Sequence, residues 1–173
     1  ASLIFSPDFS GASIGKLKGT GIDAGLIVEY FISRNLSVNS GAIYSTKKYF
    51  VDDGFSGYTS RWPNRDQPDE IDATCSVIDI PVNLKYYLRN NPGTRIFVSA
   101  GVSSYFMLSE DYTYLYDNYA VDDWTVSLTN ENTHYFGLLN FSFGIQKEIK
   151  NGLYIVGEPY FKSPLTGIGA GGV

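Results

Sequence analysis

The chain has one cysteine, one methionine and one histidine in 173 residues. A lone cysteine makes no internal disulfide and shows no zinc-ligand spacing, so Cys75 reads as a small side chain packed in a strand. No cluster of basic residues exceeds Lys47-Lys48, and the formal charge is −5, which argues against nucleic acid as a partner. Long apolar runs are missing too. The longest, "GLIVEYFI", is interrupted by Glu29 and falls short of the ~20 residues of a membrane helix. That excludes spanning by helices but not by β-strands, whose signal is much weaker per segment. The opening "ASLIFSPDF" lacks a basic start and a long apolar stretch, as a mature form whose leader has been removed would. Solenoid repeats, low-complexity tracts and linkers are absent, so 1–173 reads as a single domain.

What is present is aromatic and glycine-rich: 14 Tyr, 11 Phe and 18 Gly. Tyr, Phe, Ile, Val and Thr favour pleated backbone, and Gly marks turns and bulges. In "NFSFGIQKEIKNGLYIVGEPYFK", Asn140 to Lys162, the character changes at every second residue. The same alternation predicts seven strands, over about Ser2–Pro7, Gly21–Ser33, Leu36–Phe50, Ile71–Leu88, Thr94–Leu108, Thr133–Ile149 and Leu153–Lys162. The fourth is the cleanest. Ile78, Ile80, Val82, Leu84, Tyr86 and Leu88 alternate with Asp79, Pro81, Asn83, Lys85 and Tyr87. Pro81 cannot donate to a ladder, so a bulge or a gap is expected there.

The connections alternate in length. Strands two and three, four and five ("RNNPG"), and six and seven ("KNG") are joined tightly. The links "DFSGASIGKLKG", Val51 to Glu70 and Glu110 to Asn132 are long. An up-and-down antiparallel sheet puts all the short turns at one end and all the long ones at the other. A transmembrane β-barrel has that asymmetry.

The polarity of the two faces separates a membrane barrel from a soluble one. Here the apolar face is long and nearly uncharged. The opposite face carries Glu29, Asp79, Lys85 and Glu158 in mid-strand, with Gly25, Gly41, Gly101 and Gly144, as a narrow polar interior requires. Aromatic dipeptides near strand ends (Tyr30-Phe31, Tyr86-Tyr87, Tyr105-Phe106, Tyr135-Phe136, Tyr160-Phe161) suit interfacial girdles. Bacterial single-chain barrels have even strand numbers. The seven visible strands and the tail "LTGIGAGGV" therefore lead to the expectation of an eighth, closing strand beyond Val173, or of an edge supplied by a partner.

The segments "GLIVEYFISRNLSVNSGAIYSTKKY", "IDIPVNLKYYL", "IFVSAGVSSYFML" and "GEPYFKSPLTGIG" resemble the small outer-membrane β-barrel family of Bacteroidetes-type bacteria, with an OmpX/OmpA-like architecture. The resemblance covers nearly the whole chain. It implies an all-β, up-and-down antiparallel transmembrane barrel of eight strands in the outer membrane of a Gram-negative cell, with a periplasmic N-terminus. It brings no catalytic residues.

Buried charges must pair or be hydrogen-bonded. Glu29, Asp79, Asn83, Lys85 and Glu158 are accordingly read as a structural lumen network, with Lys85 as counter-ion, rather than as acid–base catalysts. His134, beside Tyr135, shows no Ser-His-acid partners in the sequence. Asp52, Asp53, Asp122 and Asp123 lack calcium-loop spacing, so no metal or other cofactor is expected. The long links are rich in rings, and Trp62, Tyr114, Tyr116 and Trp124 are the candidates for loop contact with a partner. The expected function is structural or interactive: a barrel presenting long extracellular loops, as an accessory subunit of a larger membrane complex, in contact with outer-membrane lipid or lipopolysaccharide. Two alternatives stay open: an outer-membrane enzyme acting on lipid or peptide, and a soluble lipocalin-like binding barrel.

Overall fold

The computed structural model describes residues 1–10, 19–52, 70–116, 122–150 and 152–165. Every regular element among them is a strand: β1 Ser2–Ser10, β2 Gly19–Phe31, β3 Leu36–Asp52, β4 Glu70–Asn91, β5 Thr94–Leu115, β6 Trp124–Thr129, β7 Thr133–Lys150, β8 Leu153–Gly157 and β9 Tyr160–Pro164. All pairings are antiparallel, in the order β1-β2-β3-β4-β5-β7-β8, with β6 on β5 and β9 on β7. β6 extends the row of β7, and β9 extends the row of β8. Nine segments thus form seven rows of an up-and-down sheet that curls into an open half-barrel.

Local chemistry explains the joints. Pro92-Gly93 closes the β4–β5 hairpin between Asn91 and Thr94, with Gly93 at φ 85°, the proline-then-glycine order of a type II turn. The expected five-residue turn is therefore a two-residue one. Gly152 turns β7 into β8 at φ 84°. At Pro81 the ladder to β4 from β3 is interrupted: Ser40↔Val82 and Ile43↔Asp79 pair, the positions between do not, and the register is unchanged on either side. The missing N–H leaves a gap rather than a bulge. The bulges lie elsewhere, where Leu108 and Leu88 are the extra residues on β5 and β4.

The bulge at Leu108 corrects the reading of Glu110 to Asn132 as one loop. β5 continues to Leu115 and β6 returns from Trp124, pairing Ser109↔Thr129 through Tyr114↔Trp124. The period of two is present here, but the extra residue flips its parity. Tyr105 and Met107 face inward below the bulge; Glu110, Tyr112 and Tyr114 do so above it.

The concave face is polar in its lower and middle parts. Asp8, Asp23, Ser37, Asn39, Ser45, Asp79 and Lys85 are buried there, while Leu3 is 87% exposed and Phe5 80% on the convex face. A soluble barrel has the opposite distribution. On β4 the outward positions are apolar from Ile78 to Leu88 and polar at Ser76, Thr74 and Asp72. That apolar run is about eleven residues, the length of a tilted strand crossing a bilayer. Three of the aromatic dipeptides, Tyr86-Tyr87, Tyr105-Phe106 and Tyr160-Phe161, split, because successive side chains point to opposite faces, whereas both rings of Tyr30-Phe31 and of Tyr135-Phe136 are exposed. Tyr30, Tyr86, Tyr135 and Phe161 are exposed, whereas Tyr87 and Tyr105 are buried inside. Three of the ten rings assigned to the girdle from sequence, Tyr87, Tyr105 and Tyr160, therefore line the interior.

Candidate functional site in the barrel interior

At the short-turn end, Lys85 stands between Ser37 on β3 and Ser99 on β5. These small neighbours leave room for its long side chain. Its Nζ lies 3.9 Å from Glu29 Oε2 and 3.8 Å from Glu158 Oε2. Glu29 Oε1 also accepts from the Tyr87 hydroxyl at 2.7 Å and from Ser37 Oγ. Glu158 Oε1 accepts from Ser142 Oγ at 2.7 Å. The ammonium sits 4.0 Å from the centroid of the Phe97 ring, an attraction to the π face added to the ionic ones. Phe97 in turn covers Gly144, where a Cβ would meet ring atom Cζ at 2.1 Å. Glycine at 144 is thus required by the close approach of the ring.

In the middle layer, amides run round the wall. Asn83 Nδ2 donates to Asn39 Oδ1 at 3.2 Å, and Asn140 Nδ2 donates to Asn83 Oδ1 at 3.0 Å and to Ser103 Oγ at 2.7 Å. Beside them Lys162 Nζ pairs with Asp79 Oδ2. Higher up, Lys47 pairs with Asp8, and Ser45 Oγ donates to Asp23 Oδ1 at 2.6 Å. The Tyr160 hydroxyl reaches Asp23 Oδ2 at 2.9 Å and Asp8 Oδ1 at 3.3 Å. This contact links the last strand row to the first two across the interior.

At the long-connection end the inward face turns apolar. Ile71, Ala73, Tyr112 and Tyr114 cluster, with Tyr116, Trp124, Val126 and Leu128 packed against them. Cys75 is buried nearby. Glu110 accepts from the Tyr112 hydroxyl at 2.6 Å and from Asn132 Nδ2.

The structure therefore brings Glu29, Lys85 and Glu158 together. It places Asn83 one layer up in the amide chain and gives Asp79 a different cation, Lys162. Sequence reasoning left Asp8, Lys47, Asp23, Tyr160 and Lys162 out of the network. Parity alone was a signal for Lys47, which shares its face with Asn39 and Ser45; no local signal pairs it with Asp8, in a distant strand. Of the loop-contact candidates, Trp62 lies outside the described residues. Tyr114 is no loop residue: it lies in the last pair of the β5–β6 ladder, one residue before Leu115, is 4% exposed, and stacks on Trp124 at the start of β6 with centroids 4.7 Å apart. Trp124 Nε1 donates to the Tyr116 hydroxyl at 3.2 Å, and the Tyr116 N–H donates to Asp123 Oδ1 at 3.0 Å. Asp122 and Asp123 are exposed, and Asp53 lies outside the described residues. Among the described residues, no group of three or more His, Cys, Asp or Glu is placed to hold a metal ion. His134 stands opposite Tyr105 in the β5–β7 ladder.

An apolar convex band around a concave face of paired charges is the layout of a membrane barrel. Residues 5–150 match the family model of the outer membrane protein beta-barrel domain. The chain belongs to that family. Comparison with curated proteins and with solved structures returned no match. This outer-membrane barrel is an integral membrane protein. The soluble lipocalin-like alternative falls with that assignment. Among the described residues no helix is long and apolar enough to cross a membrane, which says nothing of a barrel that crosses with strands.

Proposed function

We propose that this outer-membrane barrel is a non-conducting scaffold that presents its long-connection end to a protein partner outside the cell, as an accessory subunit of a larger membrane complex. In this reading the N-terminus is periplasmic, because β1 leads into the first of the long connections. The observation that carries the proposal is the β4–β5–β6 extension. Its ladder continues past the apolar band from Ser76↔Ser109 to Glu70↔Leu115, with β6 alongside. Its interior is cemented by the Tyr114–Trp124 stack, and its outward face is polar: Thr113 and Thr125 oxygens lie 3.2 Å apart, and Ser127 Oγ donates to Asp111. A rigid polar platform above a membrane is suited to docking. The ion pairs that cross the interior favour a filled lumen over a diffusion pore.

Purification from native membranes in mild detergent tests this. A stoichiometric protein partner should co-purify with the parent chain and be lost with Thr113→Glu/Thr125→Arg, whose opposite charges on facing positions should leave thermal unfolding unchanged. Absence of any partner, or steady ion currents in planar bilayers, would overturn the proposal. No catalytic role falls to His134 in this reading, and His134→Ala should leave partner binding intact. Hydrolysis of lipid or peptide by the parent chain, lost in that variant, would instead establish the enzyme alternative.

A further inference from the structure

The lipid-facing band is not uniformly smooth. A groove of about 790 Å³ crosses it over β4, β5, β7 and β9. Its walls are rings and aliphatic chains, among them Leu84, Tyr86, Phe141, Phe143 and Phe161, and its lining includes the small residue Ala100. Ala100 stands opposite both Leu84 and Phe141 in the two ladders. A methyl group flanked by larger side chains makes the depression.

Towards the short-turn end, the groove is followed by two cations. Arg89 on β4 is paired with Ile96 on β5, just past the bulge at Leu88, and Lys147 on β7 is paired with Thr94. Both are exposed. Arg89, Ile96 and Ile145, which is 47% exposed, form the cross-strand row next to the groove's Tyr86, Val98 and Phe143, and Lys147 stands one row further on. Lys147 lies four residues from Phe143, about 13 Å at ~3.3 Å per residue. That is the direction in which the band meets water at this end of the strands. A hydrocarbon slot with a cation pair at its polar end matches one ligand chemistry, a chain of hydrocarbon ending in a phosphate.

We infer that this face holds one anionic phospholipid, an acyl chain in the groove and its phosphate between Arg89 and Lys147. The inference rests on the convex face being the lipid contact. It goes beyond ordinary solvation of that face, because the site would retain one lipid class in preference to the bulk.

A tryptophan reporter tests it. Phe143→Trp places the reporter in the groove, and Leu26→Trp places one on β2, on the same apolar face away from the groove. Each chain is reconstituted in phosphatidylcholine vesicles with rising fractions of phosphatidylglycerol carrying brominated acyl chains, and the parent signal is subtracted. Phe143→Trp should be quenched at a several-fold lower bromolipid fraction than Leu26→Trp. Ala100→Phe should erase that difference by filling the slot. Arg89→Gln/Lys147→Gln should erase it only for the anionic lipid, leaving brominated phosphatidylcholine unaffected. Identical curves for the two reporters would overturn the site while leaving the membrane contact standing. Weaker quenching at Phe143→Trp than at Leu26→Trp would also overturn it, by showing that protein, such as a second copy, covers the groove. No quenching of either reporter would overturn the lipid contact itself.

Discussion

Lys162 on β9 reaches Asp79 on β4 across the two intervening strand rows of β5 and β7, and Asp79 has no exposed surface. The contact ties the edge of the sheet to its centre and so helps to set the curl. Breaking one side of it leaves a buried charge without its counter-ion. Lys162→Met should therefore lower unfolding free energy by about 3–5 kcal/mol. The double change Lys162→Met/Asp79→Leu should recover most of the loss, since it removes both charges. Urea unfolding in detergent micelles measures both. A single variant as stable as the parent would show that the pair does not hold the fold.

Lys85→Met should cost less, about 1–2 kcal/mol. Its two carboxylate contacts are long, at 3.8 Å and 3.9 Å. Glu29 keeps Tyr87 and Ser37 as donors, and Glu158 keeps Ser142. The same unfolding experiment ranks the two lysines, and a larger loss at Lys85 than at Lys162 would reverse the assignment of the main interior tie.

Gly144→Ala drives a methyl group into the Phe97 ring, with 2.1 Å between the new Cβ and Cζ. Overpacking of this kind costs about 1–3 kcal/mol. Phe97→Ala made in the same chain should remove most of the penalty of the glycine change, giving a strong coupling in a double-mutant cycle. Additive effects would mean that the ring and the glycine do not constrain each other.

The apolar band has a sharp upper edge on β4, between Ile78 and Ser76. Val82→Arg, well below that edge, should destabilise the barrel by about 2–4 kcal/mol in lipid vesicles, and Thr74→Arg, above it, by about 0–1 kcal/mol. Both side chains lie on the outward face, so equal costs at the two positions would misplace the membrane.

The number of strand rows, their direction and the identity of each face were legible in the residues, because a half-solvated strand writes its burial into a period of two; β6, and the division of the last row into β8 and β9, were not. Ile78 to Leu88 was read correctly, side chain by side chain, up to the Leu88 bulge. The reading failed where period and parity part company. The bulge at Leu108 inserts one residue and sends Tyr112 and Tyr114 inward, so a strand looked like an aromatic loop. The aromatic dipeptides were read as belts although Tyr87, Tyr105 and Tyr160 point inward while their neighbours point out.

The sequence by itself determined that this chain would form strands with one greasy and one polar side, since those properties belong to neighbours two residues apart. Which charge meets which was decided only in three dimensions. Lys47 and Asp8, Lys162 and Asp79, and Tyr160 and Asp23 lie far apart along the chain and meet because the sheet curls. No local pattern carries the curvature of a sheet, which is the sum of twist, bulges and close approaches over all its rows.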